Sequence, residues 1–309
     1  MPDLKPLFPG FGVEVSGLDL SRPLTEATFA ELERAFYAGQ VLTVRAQQLT
    51  PAQFVAFARR FGPPEPHVID QFHHPDEPDI LILSNRRKDG VPLGLADAGT
   101  YFHTDYSYLQ VPARATTLYS IEVPRRGGNT LFADQYAAYD GLPDAMKRRI
   151  DALTAVHHYG NRKEHDEASR TAASALTPEQ KARMPLITHP IVRTHPFTGR
   201  RALYAVSGSS YGIVGMPDDE AVALLDELAA HATQPEYVHS FAYGVGDVVI
   251  WDNASLLHSA TLLDPDDPRT LWRITVKEPA LAATAVLAPT FAGAAVLPRG
   301  ARNSPTGTP

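Results

Sequence analysis

Short apolar runs of strand character recur between residues 79 and 276, and few helical patterns separate them. "DILILSN" (79–85), "ATTLYSIEV" (115–123), "GDVVIWDN" (246–253) and "TLWRITV" (270–276) are rich in β-branched and aromatic residues and are punctuated by Gly, Asp or Pro. Strands this short need partners from elsewhere in the chain. The pattern therefore predicts a β-sandwich or barrel-like core with helices packed outside, folded as one domain. A length of 309 residues alone would allow either two average domains or one large β domain.

The helical patterns are few and well marked. "TEATFAELERAFYAGQ" places Phe29, Leu32 and Phe36 at helical spacing. "LTPAQFVAFARRFG" offers Thr50 as N-cap, Pro51 at the first helical position and Gln53 as a capping-box partner. Its stripe of Phe54, Phe57 and Phe61 reads as core packing. "AYDGLPDAMKRRIDAL" reads as a helical pair and "DDEAVALLDELAAHAT" as an amphipathic helix. "PFTGR" is a turn between two β runs and predicts a hairpin. Residues 157–185 form a polar, lid-like excursion with a helix start at Thr177-Pro178. His157 and His158, at its beginning, read as an exposed loop pair. The domain is expected to span 1–285, followed by a poorly ordered Ala/Pro/Gly-rich tail at 286–309.

Composition removes several chemistries. The chain has no cysteine, which excludes disulfides, thiolate catalysis and Cys-type zinc or iron–sulfur sites. Any metal must be held by His, Asp or Glu. A net charge of −7 with scattered Lys and Arg gives no basic footprint for nucleic acid or an anionic membrane. No apolar run approaches the roughly 20 residues of a membrane helix, and "MPDLKPLFPG" lacks a signal-peptide pattern. A cytoplasmic protein acting on a small molecule is the expectation.

The candidate chemistry begins in "GTYFHTDYSYL" (99–109). On a strand, His103 and Asp105 would share a face while Thr104 points away. His258, 258 − 105 = 153 residues after the aspartate and just beyond the buried "GDVVIWDN", is the candidate third ligand. Two imidazoles and one carboxylate suit a non-haem Fe(II) oxygenase, and they also suit zinc. An isolated H-x-D is common by chance and can equally be a surface hydrogen bond. Arg269 and Arg273 raise its weight: positions 269, 271 and 273 would share one strand face, so two guanidiniums would be available to bind acidic groups bidentately. Surface ion pairing is the alternative for both.

The sequence resembles the taurine/phenoxyacetate dioxygenase family of Fe(II)- and 2-oxoglutarate-dependent enzymes from about residue 10 to about residue 278. "FHTD", "GGNTLFADQYAAYDGLP", "VRTHPFTGRRALY", "GDVVIWDNASLLH" and the R-x3-R of "RTLWR" carry the resemblance. It implies a double-stranded β-helix, or jelly roll, with His103, Asp105 and His258 as iron ligands. It assigns Thr130 and Arg269 to the distal carboxylate of 2-oxoglutarate, and Arg273 to an anionic primary substrate that is oxidised with O2. It further implies succinate and CO2 as co-products, possible bond cleavage after hydroxylation, and a homodimer or tetramer. His67 matches a substrate-pocket histidine of the taurine enzymes. Asp70 stands where those enzymes carry a tyrosine and Gly99 where they carry an asparagine, which argues against strict taurine specificity. Gly99 would widen the pocket, and Phe102 and Tyr106 would favour a bulkier or aromatic substrate. The competing readings are a zinc-dependent hydrolase and a non-catalytic jelly-roll binding module.

Overall fold

The computed structural model describes residues 2–96, 99–161 and 176–278. The expected boundary at 285, the tail at 286–309 and residues 162–175 of the polar excursion lie outside them.

Seven strands make the larger sheet, in the spatial order Asp3–Phe8, Phe11–Ser16, Val41–Val44, Val248–Asp252, Ala113–Glu122, Thr270–Lys277 and Leu81–Ser84. Neighbours run antiparallel except Phe11–Ser16 beside Val41–Val44. A smaller sheet, Val238–Phe241, Thr130–Asp134 and Leu256–Ala260, packs against it. The pair forms the jelly roll.

Side-chain alternation explains why "VVIW" carries no polar residue. Val248 and Ile250 join Tyr119, Ile274 and Val276 in a cluster on the helix-covered side of the larger sheet. Val249 and Trp251 point the other way and meet Leu118, Leu271, Phe132 and Leu256 between the two sheets. A strand covered on both faces must be apolar on both, and each large side chain so buried contributes roughly 1.5–3 kcal/mol.

The helices close the outer faces. Glu26–Gly39 starts at Thr25, whose side chain accepts the N–H of Thr28, and ends at left-handed Gln40. Pro51–Ala58 has the expected capping box between Thr50 and Gln53. Phe29, Leu32, Phe36, Phe54, Phe57 and Phe61 all bury into one cluster, so both stripes are core. Helices Gln135–Gly141 and Asp218–Ala232 back the smaller sheet, together with the expected hairpin of Val192–Thr194 and Arg201–Leu203. Thr177 caps the short helix Pro178–Ala182 by accepting the N–H of Gln180 at 3.2 Å.

Two expectations are corrected. His103 and Asp105 do not lie in a strand: His103 forms a single bridge to His258, and Asp105 opens a turn that continues through Tyr106 in the left-handed region at φ 55°. His157 is not a loop residue. It ends the strand Thr154–His157, between Ile187–Pro190 and Ser210–Ile213, and is fully buried because strands cover it on both sides.

Candidate active site

The two histidines are stitched together by their own backbones. The N–H of His103 donates to the carbonyl of His258 at 2.9 Å, and the N–H of His258 donates to the carbonyl of His103 at 2.8 Å. Their rings consequently lie 4.2 Å apart between centroids. His103 Nδ1 stands 2.8 Å from the carbonyl of Tyr101, which only accepts, so Nδ1 carries a proton and Nε2 is the ring nitrogen turned toward Asp105. Nε2 of His103 and Nε2 of His258 lie 3.6 and 3.5 Å from the two oxygens of Asp105. The three donor atoms fall within 4.8 Å of one another. Two imidazoles and a carboxylate converging in one partly enclosed place fit a divalent metal.

The protonation states agree with that fit. Burial alone would raise the Asp105 carboxyl, but Arg273, His258 and His103 beside it hold it well below the usual carboxylate range. His258 is pushed well below its ordinary value, first by burial and then by the neighbouring cation and imidazole, with Asp105 opposing. Gly99 sits at φ +73°, and a Cβ there would come 2.7 Å from Cε1 of His103. The missing side chain makes room for the ligand ring, and Gly99 itself lines the cavity beside that ring.

Beside the triad lies a cavity lined by His103, His258, Thr130, Arg269, Arg273 and the apolar Leu83, Leu118 and Trp251. The register shift beside Thr270 leaves Ile121 of the neighbouring strand unpaired while Thr270–Arg273 stay in continuous register with Leu81–Ser84, and both arginines reach this cavity. Arg269 is 7% exposed, its Nε has no hydrogen-bond partner, and among the described residues no carboxylate pairs with it. Burial lowers its pKa, with Tyr243 opposing. Thr130 Oγ1 and the Tyr243 hydroxyl share a 2.7 Å hydrogen bond beside it. The "GG" of "GGNT" has a separate use: a Cβ on Gly128 would meet Arg269 Cδ at 3.2 Å and Nε at 3.3 Å.

Arg273 has different company. Its guanidinium pairs with Asp105 Oδ1 at 2.7 Å and lies 5.6 Å from the centroid of the Tyr106 ring. Tyr106, Tyr108, Tyr159 and His67 form a chain of ring contacts around it, with centroids 5.0 to 6.3 Å apart. His67 Nδ1 accepts the N–H of Ile69 at 3.1 Å, so the neutral ring keeps its proton on Nε2. Burial and then Arg273 push His67 down to about 3. The remaining sequence candidates fall elsewhere. Asp70 is exposed and takes a 3.4 Å hydrogen bond from Gln180, while Phe102 packs against the cluster behind the smaller sheet.

Residues 3–275 match the family model described as taurine catabolism dioxygenase TauD, TfdA family. The chain belongs to this family. It is 34% identical over 293 residues to the alpha-ketoglutarate-dependent 2,4-dichlorophenoxyacetate dioxygenase of Cupriavidus pinatubonensis, covering 89% of this chain and 98% of that protein. It is 32% identical over 281 residues to the (S)-phenoxypropionate/alpha-ketoglutarate-dioxygenase of Sphingobium herbicidovorans, with coverage of 87% and 93%. The solved structure of AAD-2 in complex with Mn(II) and N-oxalylglycine matches with a TM-score of 0.75 at 32% identity, covering 91% of this chain and 100% of that one. The chain is thus an enzyme of the alpha-ketoglutarate-dependent dioxygenase class. No helix among the described residues is long and apolar enough to cross a membrane.

Several residues at the site had no sequence signal of their own. Tyr243 beside Thr130, and Thr116 and Asn253 around Asp105, hold polar positions that only the fold reveals. Asn253 was within the quoted "GDVVIWDN", but nothing in its spacing tied it to Asp105.

Proposed function

We propose that this chain hydroxylates a small organic carboxylate carrying an aromatic or similarly flat apolar group, using Fe(II), 2-oxoglutarate and O2 and releasing succinate and CO2. Arg269 carries the reading. A buried guanidinium without an internal counter-charge is costly unless an anion is supplied from outside, and this one faces the same cavity as the histidine–aspartate–histidine cluster. A zinc hydrolase has no use for such a receptor, and a binding module has none for a three-ligand metal cluster beside it.

His103, Asp105 and His258 would hold the metal. When bound, iron with its keto acid and dioxygen supplies the oxidising power for a substrate C–H bond. Thr130 and Arg269 would hold the distal carboxylate of 2-oxoglutarate, with Tyr243 orienting the threonine hydroxyl. Arg273 would take the substrate carboxylate, and His67 would donate from Nε2. Tyr106, Tyr108 and Tyr159 present ring faces and edges that suit an aryl group. An aryloxy acid fits both demands, as the names of the two relatives suggest. Hydroxylation beside the ether oxygen would give an adduct that expels a phenol, and sulfonates or amines could cleave similarly at C–S or C–N. Asp70 and Phe102 have no direct substrate contact in this reading, while Gly99 lines the cavity beside His103. A single catalytic domain over 1–285, a cytoplasmic location where ferrous iron stays reduced, and a homodimer or tetramer belong to the same proposal.

Anaerobic addition of Fe(II) and 2-oxoglutarate is expected to produce a weak visible charge-transfer band that His103→Ala abolishes. Succinate release across aryloxyacetates, sulfonates and amino acids should then be highest with the aryloxy acids and low with taurine. A wild-type protein without the band would sink the proposal, and a preference for taurine would sink its substrate half.

A further inference from the structure

Asp105 is held by a directional hydrogen-bond relay from the central strands of the larger sheet. Its backbone N–H donates to Asn253 Oδ1 at 3.3 Å. A backbone N–H can only donate, so the oxygen of the Asn253 amide must face Asp105 and its NH2 must face the other way. That NH2 lies 3.0 Å from Thr116 Oγ1 and donates to it. Thr116 has one hydroxyl proton and already accepts from Asn253. It spends that proton on Asp105 Oδ2, at 2.6 Å, the short distance of a charge-assisted bond. Thr275 Oγ1 lies 3.2 Å from Thr116 Oγ1 and also takes a 3.2 Å hydrogen bond from Arg273. Thr116, Asn253 and Thr275 are all fully or nearly fully buried, so water does not compete for these bonds.

The relay matters because Asp105 is not in a strand. Its turn lacks the ladder that would otherwise orient the side chain, and its other strong partner, Arg273, is the group assigned to the substrate. A guanidinium shared between two anions cannot by itself fix the first one. Thr116 serves Asp105 alone, from a strand hydrogen-bonded on both sides.

We propose that Thr116, oriented by Asn253, is the positioning residue that keeps the Asp105 carboxylate in register as a metal ligand. The inference rests on the metal-site reading above. Partners of this kind typically change metal affinity 10–100-fold when removed.

The test is anaerobic calorimetric titration of the purified full chain with Mn(II), a redox-inert probe. His103→Ala and wild type report whether the site binds metal at all. Thr116→Val keeps the shape and removes the hydroxyl, and Thr116→Ser restores it. The expected result is a 10–100-fold weaker Kd in Thr116→Val, with Thr116→Ser within about threefold of wild type. Thr116→Ala against Thr116→Ser makes the same comparison, one oxygen apart, should the valine protein not fold. Wild-type affinity in Thr116→Val or Thr116→Ala, alongside loss in His103→Ala, overturns the role of Thr116. A serine protein as weak as the alanine protein also overturns it. Equal Mn(II) binding by wild type and His103→Ala overturns the metal-site reading and this inference with it.

Discussion

Arg269 and Arg273 are the same side chain four positions apart, both lining one cavity, the first buried and the second nearly so, yet they are electrostatic opposites. Arg269 has no carboxylate among the described residues, and burial lowers its pKa. Arg273 is clamped to Asp105, and the carboxylate raises its pKa against burial. The first is a buried cation with no carboxylate beside it among the described residues. The second is already compensated and can take a new anion only by sharing. Tight co-substrate binding and weaker, exchangeable substrate binding are the expected consequences, since an ion pair inside the protein competes with one and not the other.

The sharpest way to break this contrast is Arg269→Met. Losing one side of a buried charge pair costs about 3 kcal/mol, so the Kd for 2-oxoglutarate, followed by the charge-transfer band, should rise about 100-fold or more. Without ligands the same variant should melt at a higher temperature than wild type, because an uncompensated cation has gone. Arg273→Met should do the reverse. It leaves the buried Asp105 anion without its cation, so the metal-free protein should melt lower, and metal should recover much of the loss. Its substrate KM should rise roughly 10–100-fold, or about 1.4–2.8 kcal/mol, with 2-oxoglutarate affinity changed less than threefold. Melting shifts of the same sign in the two variants would refute the distinction.

The smallest expected effect concerns pH. His67 lies near 3 in the folded chain and His157 likewise, against an ordinary value of 6.5. Between about 3 and 6.5 the unfolded chain binds protons that the folded chain refuses, so stability rises with pH across that window and both contributions are flat above it. Substrate KM, measured from pH 6 to 8, should therefore show no inflection from His67. His157→Gln should flatten the acid side of the stability profile. An inflection near 6.5 that disappears in His67→Gln would show that burial and Arg273 together do not hold the ring neutral.

Much of the fold was legible because it follows local rules. Thr50, Pro51 and Gln53 announce a helix start through chemistry confined to one turn, and "VVIW" announces burial on both faces. His103, Asp105 and His258 were found by residue type, although the reason offered for the first two was wrong: a bridge and a turn, not a strand, bring them together. Arg269 was placed by the alternation that also places Arg273, and the two side chains do line one cavity. Thr116, Asn253 and Tyr243 were not legible at all. Their importance depends on which residue stands opposite them across the sheets, and threonine, asparagine and tyrosine in such positions look like ordinary filler in one dimension.

The reciprocal backbone bonds between His103 and His258 join points 258 − 103 = 155 residues apart. At the usual pace of synthesis, that separation represents roughly 8–30 s between the emergence of the first histidine and the last. A growing chain therefore carries two of the three ligands through that interval, and the finished geometry forms only once the strand bearing His258 has been made. A truncated product ending before Leu256 would leave His103 and Asp105 without their third partner.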